Sequence, residues 1–195
     1  MFKNTFHQSG FLSLYYSLGS KPLQLWQTHE GKDDGGVIHD VVDPQIQSKC
    51  LEIASENISS CFISCPALNS RTLGIRLPYV NLVVKNLNKY FSFEVEVMDD
   101  KDTVRRFRIS NFQEETRCQS FICTLPLRME EDWNIIQVNL ADLTKVAYGT
   151  LYAETRRITV NGSCRLRVLF FADNAYSQEQ LPPELRLFIP NRERK

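Results

Sequence analysis

Apolar and polar positions alternate with a period of two along much of the chain. The clearest run sets Phe91, Phe93, Val95 and Val97 against Ser92, Glu94, Glu96 and Met98, the pattern of a half-buried strand with one wet face. Thr103 to Ile109 follows after an Asp-rich turn. A hairpin centred on Lys101 places Phe93 opposite Ile109 and Val95 opposite Phe107 on one face. It places Glu94 opposite Arg108 and Glu96 opposite Arg106 on the other. Both faces agree, which fixes the predicted register. Exposed cross-strand ion pairs contribute only about 0–1 kcal/mol each, so they specify register more than stability.

A second hairpin is predicted near the C-terminus, where Ile158 and Val160 alternate before Asn161-Gly162, and Cys164, Leu166, Val168 and Phe170 after it. Asn-Gly favours a two-residue turn, but only a three-residue loop over Asn161 to Ser163 sets Val160 opposite Cys164 and Ile158 opposite Leu166. The apolar pattern decides for the longer loop. Arg157, Thr159, Arg165 and Arg167 then share the outer face, a candidate anion-facing patch if it is more than a solvated face. Reversing those three arginines to Glu is expected to leave folding nearly intact.

Further short strands are predicted over Leu12 to Leu18, Pro22 to Trp26, Lys49 to Ile53, Cys61 to Cys65, Tyr79 to Lys85, Ser120 to Leu125 and Trp133 to Leu140. Helix is confined to Asp142 to Tyr148, with Asp142 as cap and Gly149 as stop, and one turn over Ser177 to Leu181. Gln27 to Asp43, with Gly31, Gly35 and Gly36, reads as a long exposed loop. The class is therefore all-β: a single sandwich over residues 1–190 with one or two short helices, followed by a flexible tail, 191–195.

Composition changes this picture little. The 195 residues are 43% hydrophobic and 24% charged, ordinary for a folded chain. Lys plus Arg and Asp plus Glu are equal at 23 each, so no cationic field favours nucleic acid or an anionic membrane. The first 60 residues carry four lysines against seven acidic residues, and the later strands carry the compensating arginines. No apolar h-region follows Met1, and no run approaches the roughly 18–20 residues of a membrane span. The expectation is a soluble, intracellular protein whose six cysteines are buried thiols. The Asn57-Ile58-Ser59 and Asn161-Gly162-Ser163 sequons are then expected to stay bare.

The search for chemistry returns few candidates. The three histidines, His7, His29 and His39, lie in the first fifth of the chain without a partner pattern. Nucleophile-elbow, phosphate-loop, dinucleotide and zinc-protease motifs are all missing. Asp99, Asp100 and Asp102 read as solvated turn residues with no burial to raise a pKa. Cys61 and Cys65 would stand roughly 13 Å apart on one strand, too far for one zinc, and Cys118 and Cys123 have opposite parity. Aromatic residues, Trp26 and Trp133 foremost, are either core or a stacking platform for a sugar ring.

Several segments carry a resemblance. They include Met1-Phe2-Lys3-Asn4-Thr5-Phe6, Gln8-Ser9-Gly10-Phe11, Gly19-Ser20-Lys21-Pro22-Leu23-Gln24 with Trp26, Thr72-Leu73-Gly74-Ile75-Arg76-Leu77-Pro78 and Lys85-Asn86-Leu87 with Lys89-Tyr90-Phe91. Further on stand Arg105-Arg106-Phe107-Arg108, Trp133-Asn134, Ala147-Tyr148-Gly149-Thr150 and Cys164-Arg165. In this order, over nearly the whole chain, they resemble the cilia- and flagella-associated protein twenty family of the doublet-microtubule inner junction. His7 reads as an insertion into the opening motif, and the neutral charge departs from the basic family pattern.

The resemblance implies a jelly-roll-like β-sandwich that is not an enzyme and uses no cofactor or metal. It implies a structural role between the A- and B-tubules of the ciliary axoneme and basal body. The partners implied are α/β-tubulin, the parkin co-regulated gene product and other microtubule inner proteins. Lys85, Lys89, Arg105, Arg106, Arg108 and Arg165 stand at matching positions and join Arg157 and Arg167 as candidate contacts to acidic tubulin. The competing reading is a glycan-binding jelly roll with Trp26 or Trp133 exposed.

Overall fold

Strand β6 (Tyr79–Asp99) and strand β11 (Tyr152–Ala172) are each 21 residues long and pair antiparallel in two stretches, residues 91–99 with 152–162 and 79–86 with 164–172. In the computed structural model, which describes residues 1–2, 10–31, 33 and 35–190, these two strands run through both layers of a β-sandwich. Their inward residues meet in one core: Val80, Leu82 and Val84 from the first half of β6, Phe91, Phe93, Val95 and Val97 from the second, with Ile158, Val160, Cys164, Leu166, Leu169 and Phe171 from β11.

The other strands are β1 (Phe11–Tyr16), β2 (Gln27–His29), β3 (Val37–Asp43), β4 (Ser48–Ala54), β5 (Phe62–Cys65), β7 (Val104–Ser110), β8 (Arg117–Cys118), β9 (Ile122–Pro126) and β10 (Asp132–Asn139). The front sheet runs β2-β5-β11-β6-β7-β9-β8 through residues 152–162 and 91–99 of the long strands. The back sheet gathers β1, β4 and β10 around residues 164–172 and 79–86, with β3 paired outside β4. This jelly-roll-like sandwich is the expected all-β class.

The first predicted hairpin forms in its predicted register, with Glu94 opposite Arg108 and Val95 opposite Phe107. The second does not form. Val160 pairs with Phe93 and Cys164 with Asn86, because the two flanks of Asn161-Gly162 both pair with β6, on either side of its residues 87–90, which have no register partner in β11. Gly162, at φ 81°, occupies a bulge where a Cβ would lie 2.5 Å from the Tyr90 carbonyl, so the glycine admits a close crossing at a bend rather than a turn. A further bulge beside Arg167 reverses the parity: Cys164 and Leu166 face the main core, whereas Val168 and Phe170 face the opposite side of the back sheet.

That opposite side is covered too. Val83, Trp133, Val168, Phe170, Ile46 and Cys50 bury against Leu181 and Leu185 of the C-terminal segment, with Tyr176, Leu187 and Ile189 packed at the margin. The expected turn at Ser177 to Leu181 forms, closed by the Gln180 amide to the Ser177 carbonyl at 3.1 Å, and a 3-10 turn follows at Pro183–Leu185, where proline suits a helical start. The other helix, α1 (Leu140–Tyr148), is capped by Asn139 and not Asp142: the Asn139 side chain accepts from the amides of Ala141 and Asp142, and Gly149 closes the end at φ 65°.

Three further expectations are corrected. The glycine-rich stretch is strand at both ends, β2 and β3, and not one long loop. Pro22 to Trp26 is a run of turns, closed by the Gln24 amide to Lys21 O and the Trp26 amide to Leu23 O. Cys118 and Cys123 form a disulfide, because they lie on two paired strands as direct cross-strand partners, so parity along one strand did not apply. The predicted tail 191–195 and the His7 insertion lie outside the described residues.

Candidate functional surface

The outer face of the front sheet is a polar surface laid out in rows. One row crosses every strand: Gln27, Ser64, Thr159, Glu94, Arg108, Thr124 and Arg117 are successive cross-strand partners. The next carries Arg157, Glu96 and Arg106. Arg108 Nε donates to Glu94 Oε1 at 2.7 Å, and Arg106 lies 3.6 Å from Glu94 and 3.9 Å from Glu96. The Arg106, Arg108 and Arg117 side chains remain 49%, 40% and 72% exposed, so they keep bonding capacity for a partner.

Most of the other candidate cations are committed to the fold. Arg157 donates to the carbonyls of Pro66 (2.7 Å), Leu68 (3.2 Å) and Arg71 (3.4 Å) and to Ser64 Oγ, clipping the chain that leaves β5. Arg105 bonds Asp99 at 3.1 Å and the Ser120 carbonyl, and its guanidinium lies over the Tyr148 ring. Arg167 reaches Ser48 and Ser17 and sits near the Tyr16 ring. Arg157 therefore stands on the front sheet while Arg165 and Arg167 stand on the back, so the four-residue anion patch expected from the hairpin does not assemble. Reversing these three charges would test folding first.

Arg165 and Lys85 belong to a buried cluster around Asp43, whose side chain is 0% exposed. Asp43 Oδ2 accepts from Arg165 at 2.7 Å and Lys85 at 3.0 Å, and Oδ1 from Trp133 Nε1 at 3.2 Å and the Gln45 amide at 3.0 Å. Burial alone would raise this carboxyl's pKa, but those donors hold it down to about 2. Arg165 also grips Glu52 at 2.6 Å. The cluster ties β3, β4, β6, β10 and β11 together. Its sequence signal was Trp133, whose indole N–H needs an acceptor once buried.

Asp99 departs from the solvated-turn expectation. It is 1% exposed and accepts from the Thr103 and Lys101 amides and Arg105. Burial pushes its pKa up, and these bonds more than offset that, leaving it below the ordinary carboxylate range. Trp26 and Trp133 are both buried and hydrogen-bonded, Trp26 to the Leu14 carbonyl, so neither forms a stacking platform. The exposed aromatic pair is instead Tyr90 and Phe112, beside a cleft of about 420 Å³ at the bend of β6 where Lys89 pairs with Glu56 at 2.7 Å. Arg117 escaped the sequence reading because a two-residue strand has no visible period.

Cys50, Cys61, Cys65 and Cys164 are buried thiols. Burial pushes Cys50 up to about 11 and Cys65 to about 12, which keeps both protonated and unreactive. Among the described residues no group of three or more His, Cys, Asp or Glu is placed to hold a metal ion.

Known proteins extend these observations. Cilia- and flagella-associated protein 20 of Chlamydomonas reinhardtii is 54% identical over 190 residues, covering 97% of this chain and 98% of that one. The Paramecium tetraurelia protein of the same name is 53% identical over 190 residues, 97% of each. Among solved structures, the family 11 carbohydrate-binding module of a Clostridium thermocellum cellulosomal cellulase covers 87% of this chain and 98% of its own, at a TM-score of 0.48 and 10% identity. No functional residue is carried across at that distance. The relatives' names support an association with cilia and flagella. With a family model matching residues 1–189, the chain belongs to the CFA20 domain family.

Proposed function

We propose that this protein is a non-catalytic structural component of ciliary and flagellar doublet microtubules, binding tubulin at the inner junction between A- and B-tubules. The observation that carries the reading is family membership across the whole sandwich, with relatives named as cilia- and flagella-associated at 53–54% identity. Its partners would be α/β-tubulin, the parkin co-regulated gene product and other microtubule inner proteins, at the axoneme and basal body.

The front-sheet face suits such a role. It offers Arg106, Arg108 and Arg117 to an acidic surface. Weak contacts of this kind add up when a subunit repeats along a lattice. Lys89 is the remaining exposed candidate, at the bend.

The test is retention of a fluorescently tagged chain on axonemes after detergent extraction, with co-sedimentation on microtubules in vitro. Arg106→Ala, Arg108→Ala and Arg117→Ala together are expected to weaken co-sedimentation about ten-fold while leaving the melting temperature nearly unchanged. Loss of the tagged chain with the soluble fraction, or an intact inner junction in cells lacking it, would refute the proposal.

A further inference from the structure

The two sheets differ in width on one side. Beyond β6 the front sheet continues through β7, β9 and β8, whereas the back sheet ends after β10. The inner face of β7 and β9 therefore overhangs its partner layer. Helix α1 covers one end of the overhang, where Tyr148 packs against Phe107. Beside the first turn of α1 lies a groove of about 350 Å³ lined by Ile109, Leu125, Leu127, Ile136, Val138 and Leu143.

The edge that borders this groove is open. β10 pairs with β6 alone, and among the described residues no other strand bonds to residues 132–139; the Asn134 side chain donates to the Asp132 carbonyl at 3.0 Å. Edge strands are ordinarily guarded by proline, lysine or a bulge. β10 contains no Pro, Lys or Gly, and its register is unbroken from Asp132 opposite Asn86 to Asn139 opposite Tyr79. An edge of unbroken register beside an apolar groove has the chemistry of strand addition: backbone groups pair with an extended segment, and alternate side chains enter the groove.

Charge selects the occupant. Between residues 128 and 142 the edge and its flanks carry Glu130, Glu131, Asp132 and Asp142 against one guanidinium, Arg128. A second copy paired antiparallel along β10 would set the acidic start of one strand against Asp142 of the other, and like charges there oppose association. A segment with basic ends meets the opposite sign at both flanks.

We propose that the outer edge of β10 and its groove receive, as an added strand, an extended segment of a partner protein whose alternating apolar residues are flanked by Lys or Arg. The probe is a fluorescein-labelled peptide, Lys-Lys-Val-Thr-Val-Thr-Val-Lys-Lys, titrated into the full chain by anisotropy, with hydrogen exchange read by mass spectrometry. Saturable binding is expected, with slowed exchange confined to residues 132–139 and the groove. The Glu130→Lys, Glu131→Lys variant alters only exposed side chains. It should weaken this peptide about ten-fold and favour a version with Glu at its ends. Equal binding of both peptides, or slowed exchange elsewhere, would overturn the proposal. So would a concentration-dependent dimer that protects β10 without peptide, which assigns the edge to a second copy.

Discussion

The outer faces of the two sheets use the same residue types to opposite ends. On the front sheet, Arg106 and Arg108 lie against Glu94 and Glu96 in contact with water. On the back sheet, Arg165 and Lys85 converge on a carboxylate that water does not reach, beside the apolar cover supplied by Leu181 and Leu185. An open ladder exchanges solvent for partner at little net gain, so its pairs are replaceable and available to a ligand. Removing one member of the covered cluster strands the others in low dielectric, so that cluster fixes position and is closed to outside partners. An arginine on a strand is thus a binding candidate only after its cover is known.

The contrast can be broken most directly at Asp43. Asp43→Ala should cost about 3–5 kcal/mol by urea denaturation, since it leaves Arg165 and Lys85 buried without their shared acceptor; a loss under about 1 kcal/mol would make the two faces equivalent. Removing the cover comes next: Leu185→Ala should cost about 2–4 kcal/mol as a core truncation, although it lies in the C-terminal segment.

Acid titration sharpens the comparison further. Asp43 is depressed from its ordinary 3.8 to about 2, so its contribution of about 2 kcal/mol is fully present above pH 4 and disappears as pH falls through 2. Asp43→Asn should lower overall stability and flatten that acid limb, and a limb of unchanged slope would assign it to other carboxylates. The smallest effect belongs to the open ladder. Arg108→Ala should change stability by less than about 1 kcal/mol, and by still less in high salt.

What the sequence disclosed follows the same division. The β6–β7 register was legible because two independent patterns, apolar inside and ionic outside, demanded the same pairing. The back-sheet strands were foreseen at Leu12 to Leu18, Lys49 to Ile53, Tyr79 to Lys85 and Trp133 to Leu140, but which face each residue takes was not, since a strand covered on both sides shows no alternation. Val83 between Leu82 and Val84 reads as a plain apolar run, and the bulge at Arg167 moves Val168 to the other face without a sequence mark. Asn161-Gly162 was misread because glycine's positive φ serves a turn and a bulge equally; the choice depended on β6, whose continuation past Asn86 to Tyr90 is a tertiary fact. Of the cationic candidates, only exposure could separate Arg106, Arg108 and Lys89 from Arg105, Arg157, Arg165, Arg167 and Lys85.

The two long strands also have a mechanical consequence. In a sandwich whose sheets are joined only by loops, a force parallel to the layers can slide one over the other by straining side-chain contacts. Here β6 and β11 pass through both layers, each with a contour of roughly 70 Å. Any sliding load is carried along covalent backbone and across a ladder of hydrogen bonds that must shear together. Tension on one face reaches the other with little give, so a fastener built this way resists distortion as a single rigid block.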